Sequence, residues 1–455
     1  MDAAAAAGVD RISELPDDLL HVILGFLHDA TAASRTAVLS RRWRRVWIHA
    51  QGLSFSETQV RCPYYGPCRL AGFMDWALAQ RAAADLGSLA IDMKRTACTS
   101  PERVNEWIRY AMRHVVGSFS LRIPFVRIPY DDRFGIARPQ PPIQLPGHGR
   151  ATSIRMHLSH CKLQFPVAVA AKFEALTELS ISKASFDEGE AALGRGCTLG
   201  DFVSSSCCPR LRKLEIISPR GMPQLVLRAE ALEELLLSSR EAIRTLDVTA
   251  PKLRVLRLQL CVQDQWRRNY VSYNTTIDVA RVRAPALEEI GVYSSPYRRR
   301  PTLDICDLTS VRRLSDLHLD MHEQYCHRTD VALWLLENCP NVEYISVSLH
   351  HWVPYPFDGI TTTTSMLIDL GLERLDNATP FARLTSIDLE ACIFPRRHLV
   401  MSVSSFLMRC PRLRLLCIHL IDENPDGNRW RECICDDFDS GRSHKNLYLQ
   451  YLEEF

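Results

Sequence analysis

Several features that mark particular classes of protein are missing from this 455-residue sequence. No window approaches the roughly 18 to 20 apolar residues that spanning a bilayer requires, and the alanine-rich start has no basic region like that of a signal peptide. Basic and acidic residues nearly cancel, 55 against 53, so no overall field draws the chain to nucleic acid or to a membrane surface. We therefore expect an intracellular protein of the nucleus and/or cytoplasm, without a membrane partner and without a nucleic-acid partner.

Motifs that carry catalysis or bind metals are also missing. The sequence has neither a GxSxG elbow nor a phosphate-binding GxxxxGK[ST] loop. Its 16 cysteines include no CxxC pair, and the segment from His322 to His327 has its second histidine one position too late for a zinc-binding HExxH helix. We read the cysteines as reduced, mostly buried thiols, and we predict a non-catalytic protein with no metal site and no cofactor.

A short apolar pattern repeats along the chain. Apolar-x-x-apolar-x-apolar units begin at Leu86, Val116, Leu176, Leu211, Leu232, Leu253, Leu287, Leu314, Val342, Leu384 and Leu413. The last two apolar positions of each unit lie on one face of an extended chain, and the first anchors the turn into it. Most steps between units suit leucine-rich repeats, which stack parallel strands into one core. The predicted fold class is therefore α/β, a leucine-rich-repeat solenoid with parallel strands on the concave side and helices and loops on the convex side.

A small residue followed by proline precedes several of these units. The pairs are Cys208-Pro209, Ala250-Pro251, Ala284-Pro285, Cys339-Pro340 and Cys410-Pro411. Because proline disfavours helix at the residue before it, each pair can end a back-side helix and start the turn into the next strand. Residues 104–115 and 331–339 show the 3.6-residue period of such helices. The pattern predicts strand, loop and helix in each repeat, with loop insertions near residues 124–150 and 354–376.

The first fifty residues do not follow the repeat. Pro16 suits a first helical turn, and Asp17 and Asp18 suit the positive end of the helix dipole. The apolar residues from Leu19 to Leu27 cover more of the helix circumference than one core stripe, which indicates a partner surface. A short second helix through Thr36 to Leu39 and a third helix containing Trp43 and Trp47 should follow.

This N-terminal segment resembles a known family. The run Leu15-Pro16-Asp17-Asp18-Leu19-Leu20, then Ile23 and Leu27, then Val38-Leu39-Ser40-Arg41-Arg42-Trp43-Arg44 and Trp47, is similar to the F-box of plant F-box proteins with leucine-rich repeats. The resemblance implies a three-helix F-box at residues 9–50, a repeat array at 51–430, and a C-terminal segment at 431–455 similar to a truncated FBD domain.

The resemblance also implies partners and contact residues. F-box proteins bind a Skp-family adaptor and, through it, a cullin-RING ubiquitin ligase, while the repeats bind a protein substrate. The implied adaptor-binding residues of this chain are Leu15, Pro16, Leu19, Leu20, Ile23, Leu27, Val38, Leu39, Trp43 and Trp47. The expected function is substrate recognition in an SCF-type (Skp-cullin-F-box) ligase. The alternative is a repeat-based interaction scaffold without a role in ubiquitin transfer.

Overall fold

The structure, a computed structural model, describes sixteen parts of the chain. These are residues 15–25, 42–47, 50–56, 69–81, 85–93, 100–123, 141–166, 172–186, 197–239, 243–260, 279–294, 302–320, 331–350, 381–392, 407 and 409–421. Leu27, Val38, Leu39 and the segments 354–376 and 431–455 therefore lie outside the described residues, as does most of the predicted insertion at 124–150.

Among the described residues, helices and parallel strands alternate in the first half of the chain, and strands predominate in the second half. The helices are α1 (Asp17–Gly25), α2 (Trp43–Val46), α3 (Arg69–Gln80), α4 (Pro101–His114), α5 (Leu199–Phe202) and α6 (Val331–Asn338), with a 3₁₀ helix at Leu308–Ser310. The first strands are β1 (Gly52–Ser56), β2 (Leu86–Asp92), β3 (Val115–Arg122), β4 (Ile143–Gln144), β5 (Ser153–His157), β6 (Leu163–Gln164), β7 (Glu178–Ser182), β8 (Lys213–Ile217) and β9 (Gln224–Arg228). They are followed by β10 (Glu234–Ser238), β11 (Thr245–Thr249), β12 (Val255–Leu260), β13 (Val279–Arg283), β14 (Glu289–Ser294), β15 (Thr302–Ile305), β16 (Arg313–Asp320), β17 (Tyr344–His350), β18 (Ser386–Cys392) and β19 (Leu415–Ile421).

The chain forms two compact units. Unit 1 comprises residues 1–222 and 227–231, and unit 2 comprises residues 223–226 and 232–455. In unit 1 the main strands lie in the order β1-β2-β3-β5-β7-β8, and in unit 2 in the order β10-β12-β14-β16-β17-β18-β19. The registered neighbours within each unit are parallel. This mixed α/β arrangement of strands in chain order fits a solenoid-like leucine-rich-repeat fold.

Each repeat contributes one rung to a buried apolar ladder. In unit 2 the strand register aligns Leu235, Leu256, Ile290, Leu314, Ile345, Ile387 and Leu416, all at most 3% exposed. In unit 1 the same level is formed by Leu53, Leu89, Phe119, Ile154, Leu179 and Leu214. The predicted spacing of apolar residues therefore gives a continuous core, because parallel stacking places equivalent side chains against one another.

The small residue before proline closes a tight turn at the entrance to a strand. The carbonyl oxygen of Cys208 accepts a hydrogen bond from the backbone N–H of Leu211 at 3.2 Å, and Ala250, Ala284 and Cys410 do the same for the residue three positions later. Proline suits the second position of such a turn. The small side chains before proline are all buried, and burial raises the pKa of the Cys208, Cys339 and Cys410 thiols to about 12.

The prediction of a back-side helix in each repeat is wrong for the middle of unit 2. There, β11, β13 and β15 form a second parallel sheet, and the strands β11 and β13 end directly before the Ala250 and Ala284 turns. The reason is the alternating pattern of segments such as residues 245–249, in which apolar residues recur every second position and β-branched threonines flank them. A segment of this length and period favours a strand.

The helices predicted at 104–115 and 331–339 are confirmed with small differences. Helix α4 begins after Ser100, whose hydroxyl accepts from the backbone N–H of Arg103 at 3.4 Å, and it ends at His114. Helix α6 ends at Asn338, one residue before the turn-forming Cys339. Part of the predicted insertion is ordered against α4, because Asn105 donates to the carbonyl oxygen of Pro142 at 3.1 Å and accepts from the backbone N–H of Gln144 at 2.7 Å.

Two of the predicted strand anchors are shifted in phase. In β3 the buried anchor is Val115 rather than Val116, and the register slips between β2 and β3 at this point. In β16 the anchor is Val311 rather than Leu314, because an irregularity follows Leu314 and Asp316 takes a left-handed backbone conformation, with φ of 53°. An extra residue in a strand moves the apolar positions that follow it by one place.

Candidate partner-binding surfaces

Helix α1 carries two apolar stripes with opposite environments. Leu20 and Leu24, four residues apart, are buried. Leu19, Val22 and Ile23, at the i, i+3 and i+4 positions of the neighbouring stripe, are 50%, 56% and 40% exposed. These are three of only six large hydrophobic side chains that are exposed among the described residues. Clustered exposed apolar side chains are typical of a protein-interaction site, and we call these three residues the α1 stripe.

The remainder of the N-terminal segment packs within the chain. Helix α1 lies against α2, and Arg42 beside α2 donates through Nε to a carboxylate oxygen of Asp17 at 2.7 Å. Trp47 stacks on Phe73 of α3 with ring centroids 5.5 Å apart, and Phe55 of β1 meets Phe73 edge-on at 6.0 Å. This aromatic cluster holds the end of the N-terminal segment to the first repeat, and α1 packs on α2 beside it.

A buried arginine strengthens the same region. Arg81, at the end of α3, donates to the carbonyl oxygen of Ala50 at 2.6 Å and to that of Asp85 at 3.0 Å. It thereby ties the last residue of the N-terminal segment, Ala50, to Asp85, the residue that precedes β2. Burial lowers the pKa of Arg81, but an arginine stays charged at neutral pH.

The predicted adaptor-binding residues thus fall into two groups. Leu19 and Ile23 are exposed in the α1 stripe, with Pro16 exposed and Leu15 partly exposed just before the helix. By contrast, Leu20, Trp43 and Trp47 are buried in this chain, where they contribute to the core that supports α1. Leu27, Val38 and Leu39 lie outside the described residues. The sequence reasoning did not select Val22, although its spacing from Leu19 gave the signal.

The sheets offer a second kind of surface, which we call the open face: the side formed by residues that alternate with the buried ladder. Over the first four main strands of unit 1, two adjacent rows of this face consist mostly of small side chains, while the next row carries Asp92, Arg122 and His157. Across β1, β2, β3 and β5, the first of these rows consists of Gly52, Ser88, Ser118 and Ser153. The second row consists of Ser54, Ala90, Ser120 and Arg155. Small polar side chains leave the backbone of the sheet accessible and add little charge.

The open face of unit 2 carries a charged network centred on Glu289 of β14. Oε1 of Glu289 accepts from Nη2 of Arg257 at 2.7 Å and from the hydroxyl of Ser315 at 2.9 Å. Oε2 accepts from Nε of Arg313 at 3.3 Å, and the Arg313 guanidinium lies 4.2 Å from the ring centroid of Tyr344. The network therefore spans four neighbouring strands, from β12 to β17. Sequence analysis did not predict it, because its members come together only through the strand register.

The electrostatics of this network favour the ionised glutamate. Burial alone would raise the pKa of Glu289, but the hydrogen bonds from Arg257 and Ser315 and the two guanidinium charges lower it on balance. The Glu289 side chain is only 11% exposed, whereas the two arginines are about half exposed. The carboxylate is thus a fixed negative centre that holds two cations at the surface, where a bound partner could reach them.

Near the end of the sheet a further group of polar side chains converges. Asp388 of β18 lies beside Cys417 and His419 of β19. The Cys417 sulfur is 3.2 Å from Nε2 of His419, and that nitrogen is 3.3 Å from Oδ1 of Asp388.

Comparison with known proteins agrees with this architecture. No protein-family model matches the sequence. The chain is 23% identical over 98% of its length to the putative F-box/FBD/LRR-repeat protein At4g03220 of Arabidopsis thaliana, of which it covers 81%. It is 25% identical over 55% of its length to F-box/LRR-repeat protein 25 of the same plant, covering 86% of it. The F-box/LRR-repeat protein At3g03360, also from Arabidopsis thaliana, is 25% identical over 90% of the chain, which covers 70% of that protein.

The predicted resemblance is therefore confirmed: this chain is a relative of the plant F-box proteins with leucine-rich repeats. Among the helices that the structure describes, none combines the length and the apolar character needed to cross a membrane.

Proposed function

We propose that this protein is the substrate-recognition subunit of an SCF-type ubiquitin ligase. In this proposal the N-terminal segment forms a three-helix F-box that binds a Skp-family adaptor, and the repeats bind a target protein. The chain performs no bond-forming step. It raises the local concentration of the target near a conjugating enzyme that the cullin complex brings.

The observation that carries the proposal is the α1 stripe. Leu19, Val22 and Ile23 are apolar, exposed and adjacent on a helix that packs against α2. An exposed apolar face of a helix is one of the recurrent ways in which proteins recognise each other. The names of the relatives, which contain both F-box and LRR-repeat, support the same assignment at the level of the family.

The test is adaptor binding by variants of the full-length chain. Replacing both Leu19 and Ile23 with glutamate places two charges in the apolar interface, and we expect at least a tenfold loss of affinity for a plant Skp-type adaptor, equivalent to ~1.4 kcal/mol or more. A matched control is Val226→Glu, which makes the same kind of change at a 46% exposed position of β9. Isothermal titration or co-expression pull-down measures the result.

Retained binding by the double variant would remove the basis of the proposal. A separate measurement addresses the alternative of a scaffold without ubiquitin transfer. If the chain is a ligase subunit, the complex with the adaptor should also bind cullin, and the double variant should lose cullin together with the adaptor. Adaptor binding without cullin would favour the scaffold.

A further inference from the structure

Three side chains of different chemistry meet on the open face of unit 2. Strand register pairs Asp388 directly with Cys417 and places His419 two residues further along β19, on the same face. The Cys417 sulfur, a ring nitrogen of His419 and a carboxylate oxygen of Asp388 all lie within 4.8 Å of one another. Each of these atoms can donate an electron pair to a metal ion.

Two of the three separations between these atoms are close to those of a tetrahedral metal centre, and the third lies within 4.8 Å. Zinc binds sulfur at ~2.3 Å, imidazole nitrogen at ~2.0 to 2.1 Å and carboxylate oxygen at ~2.0 to 2.2 Å. At a tetrahedral angle, those bond lengths separate neighbouring ligand atoms by about 3.4 to 3.6 Å. The observed separations of 3.2 Å between sulfur and nitrogen and 3.3 Å between nitrogen and oxygen differ from this by only a few tenths of an ångström. We propose that Asp388, Cys417 and His419 bind a zinc ion.

The choice of zinc follows from the ligand types. Thiolate is a soft ligand and imidazole an intermediate one, and together they favour zinc over magnesium or calcium, which prefer oxygen. Three ligands from the protein leave one position of a tetrahedral ion for water or for a side chain of a bound partner. The site would lie on the open face of the repeats, which bind the target in the proposed function, and it does not depend on adaptor binding.

Neighbouring residues orient the ligands. The phenol of Tyr344, on the neighbouring strand β17, interacts with the Asp388 carboxylate. Arg313 covers the ring of Tyr344 and limits its movement. The hydroxyl of Ser348 donates to Glu390 at 2.9 Å, so the acidic side chain next to Asp388 on the same face is held by a different partner. Support of this kind is usual around protein-bound zinc.

No sequence motif could have revealed the site. Asp388 is 29 residues from Cys417, and Cys417 is too close to His419 for the usual pair of zinc ligands on a turn. The site forms only because β18 and β19 are adjacent and in this register. Our expectation of no metal site depended on motif spacing alone.

The experiment uses the full-length chain stripped of metal and then titrated with cobalt(II) as a spectroscopic probe and with zinc(II) in competition with a coloured chelator. The wild-type protein should give a thiolate-to-cobalt charge-transfer band and the intense visible bands of tetrahedral cobalt, and zinc should abolish both. Cys417→Ser should lose the charge-transfer band and bind zinc at least tenfold more weakly. Cys306→Ser removes an exposed thiol outside the site and should behave as wild type.

A second variant tests the supporting residue. Tyr344→Phe keeps all three ligands but removes the hydroxyl, and it should weaken zinc binding ~10-fold or more while preserving the charge-transfer band. The three ligand side chains lie at the surface of the sheet, so their substitution should leave the circular dichroism of the apoprotein unchanged. Equal cobalt spectra for Cys417→Ser and Cys306→Ser, or no charge-transfer band in the wild type, would overturn the proposal.

Discussion

One row of the open face differs between the two units, although their buried faces are alike. In unit 1, Ser88, Ser118 and Ser153 follow one another across three strands. At the corresponding places in unit 2, Glu289, Arg313 and Tyr344 form a connected charged and aromatic network. Both ladders of buried residues are leucine-rich and almost inaccessible. The comparison teaches that the ladder determines the repeat fold, while the open face is free to differ and so to carry recognition.

The largest expected loss of stability comes from changes in the buried ladder, which both units contain. Leu89→Ala in unit 1 and Leu256→Ala in unit 2 each remove a fully buried side chain from the ladder. Each should reduce stability by about 2–5 kcal/mol, because the substitution leaves a cavity that parallel neighbours cannot fill. Urea unfolding followed by circular dichroism measures both. A cost below ~1 kcal/mol for either variant would show that its ladder does not support that unit.

A smaller loss of stability should distinguish the buried carboxylate Glu289 from the exposed carboxylate Glu288, since both accept hydrogen bonds from arginine. Glu289→Gln removes the charge that holds two arginines, and we expect a loss of about 1–3 kcal/mol, moderated because both guanidiniums stay partly in water. The matched control is Glu288→Gln. Glu288 also accepts from an arginine at 2.7 Å, Nη2 of Arg254, but its side chain is 50% exposed, so the change in stability should be much smaller. Equal losses for the two variants would contradict the central role of Glu289.

The contribution of Glu289 should also depend on pH. The pKa of Glu289 in the folded protein lies below the ordinary value of 4.5. The stabilisation by Glu289 is therefore fully present above pH 4.5, and it is lost as the pH falls through the pKa of the folded protein. The difference in stability between wild type and Glu289→Gln should therefore be constant near neutrality and shrink under acid conditions. Urea midpoints of both proteins across this range measure it. A difference that grows on acidification would reverse the sign and refute the assignment.

The smallest effect is expected on the open face of unit 1. Ser120→Ala should change stability by less than ~0.5 kcal/mol, because the side chain lies on the surface and its removal creates no cavity. The same urea experiment applies. A loss above ~1 kcal/mol would show that this face, like that of unit 2, contains an interaction that the fold depends on.

Much of the core could be predicted from the sequence, since apolar spacing on a strand depends only on local geometry. The predictions failed where the backbone departs from that regularity. The slip at β3 moved the anchor from Val116 to Val115. In β16 the irregularity after Leu314 puts Leu317 in the buried row, so that Leu314, Leu317 and Leu319 imitated a repeat unit whose true anchor is Val311. Strand β5 was missed because its anchor is Ala151, whose small side chain gives a weak apolar signal.

The candidate sites also contain some features that the sequence predicts and others that only the folded structure shows. The exposure of part of α1 could be anticipated, since its apolar residues exceed what one core stripe can bury. Which leucine faces outward could not be predicted, because that depends on how α1 packs against α2. Leu20 is buried and Leu19 is exposed. The Glu289 network and the cluster of Asp388 with Cys417 require the register between strands that are far apart in sequence.

Hydrogen–deuterium exchange of the full-length protein, with and without a plant Skp-type adaptor, tests the proposed role of α1 most directly. We expect the adaptor to slow exchange of backbone amides within Asp17–Gly25 and to leave β12, β14 and β16 of unit 2 unchanged. Unchanged exchange in α1 under saturating adaptor, or protection confined to the open face of the sheet, would contradict it.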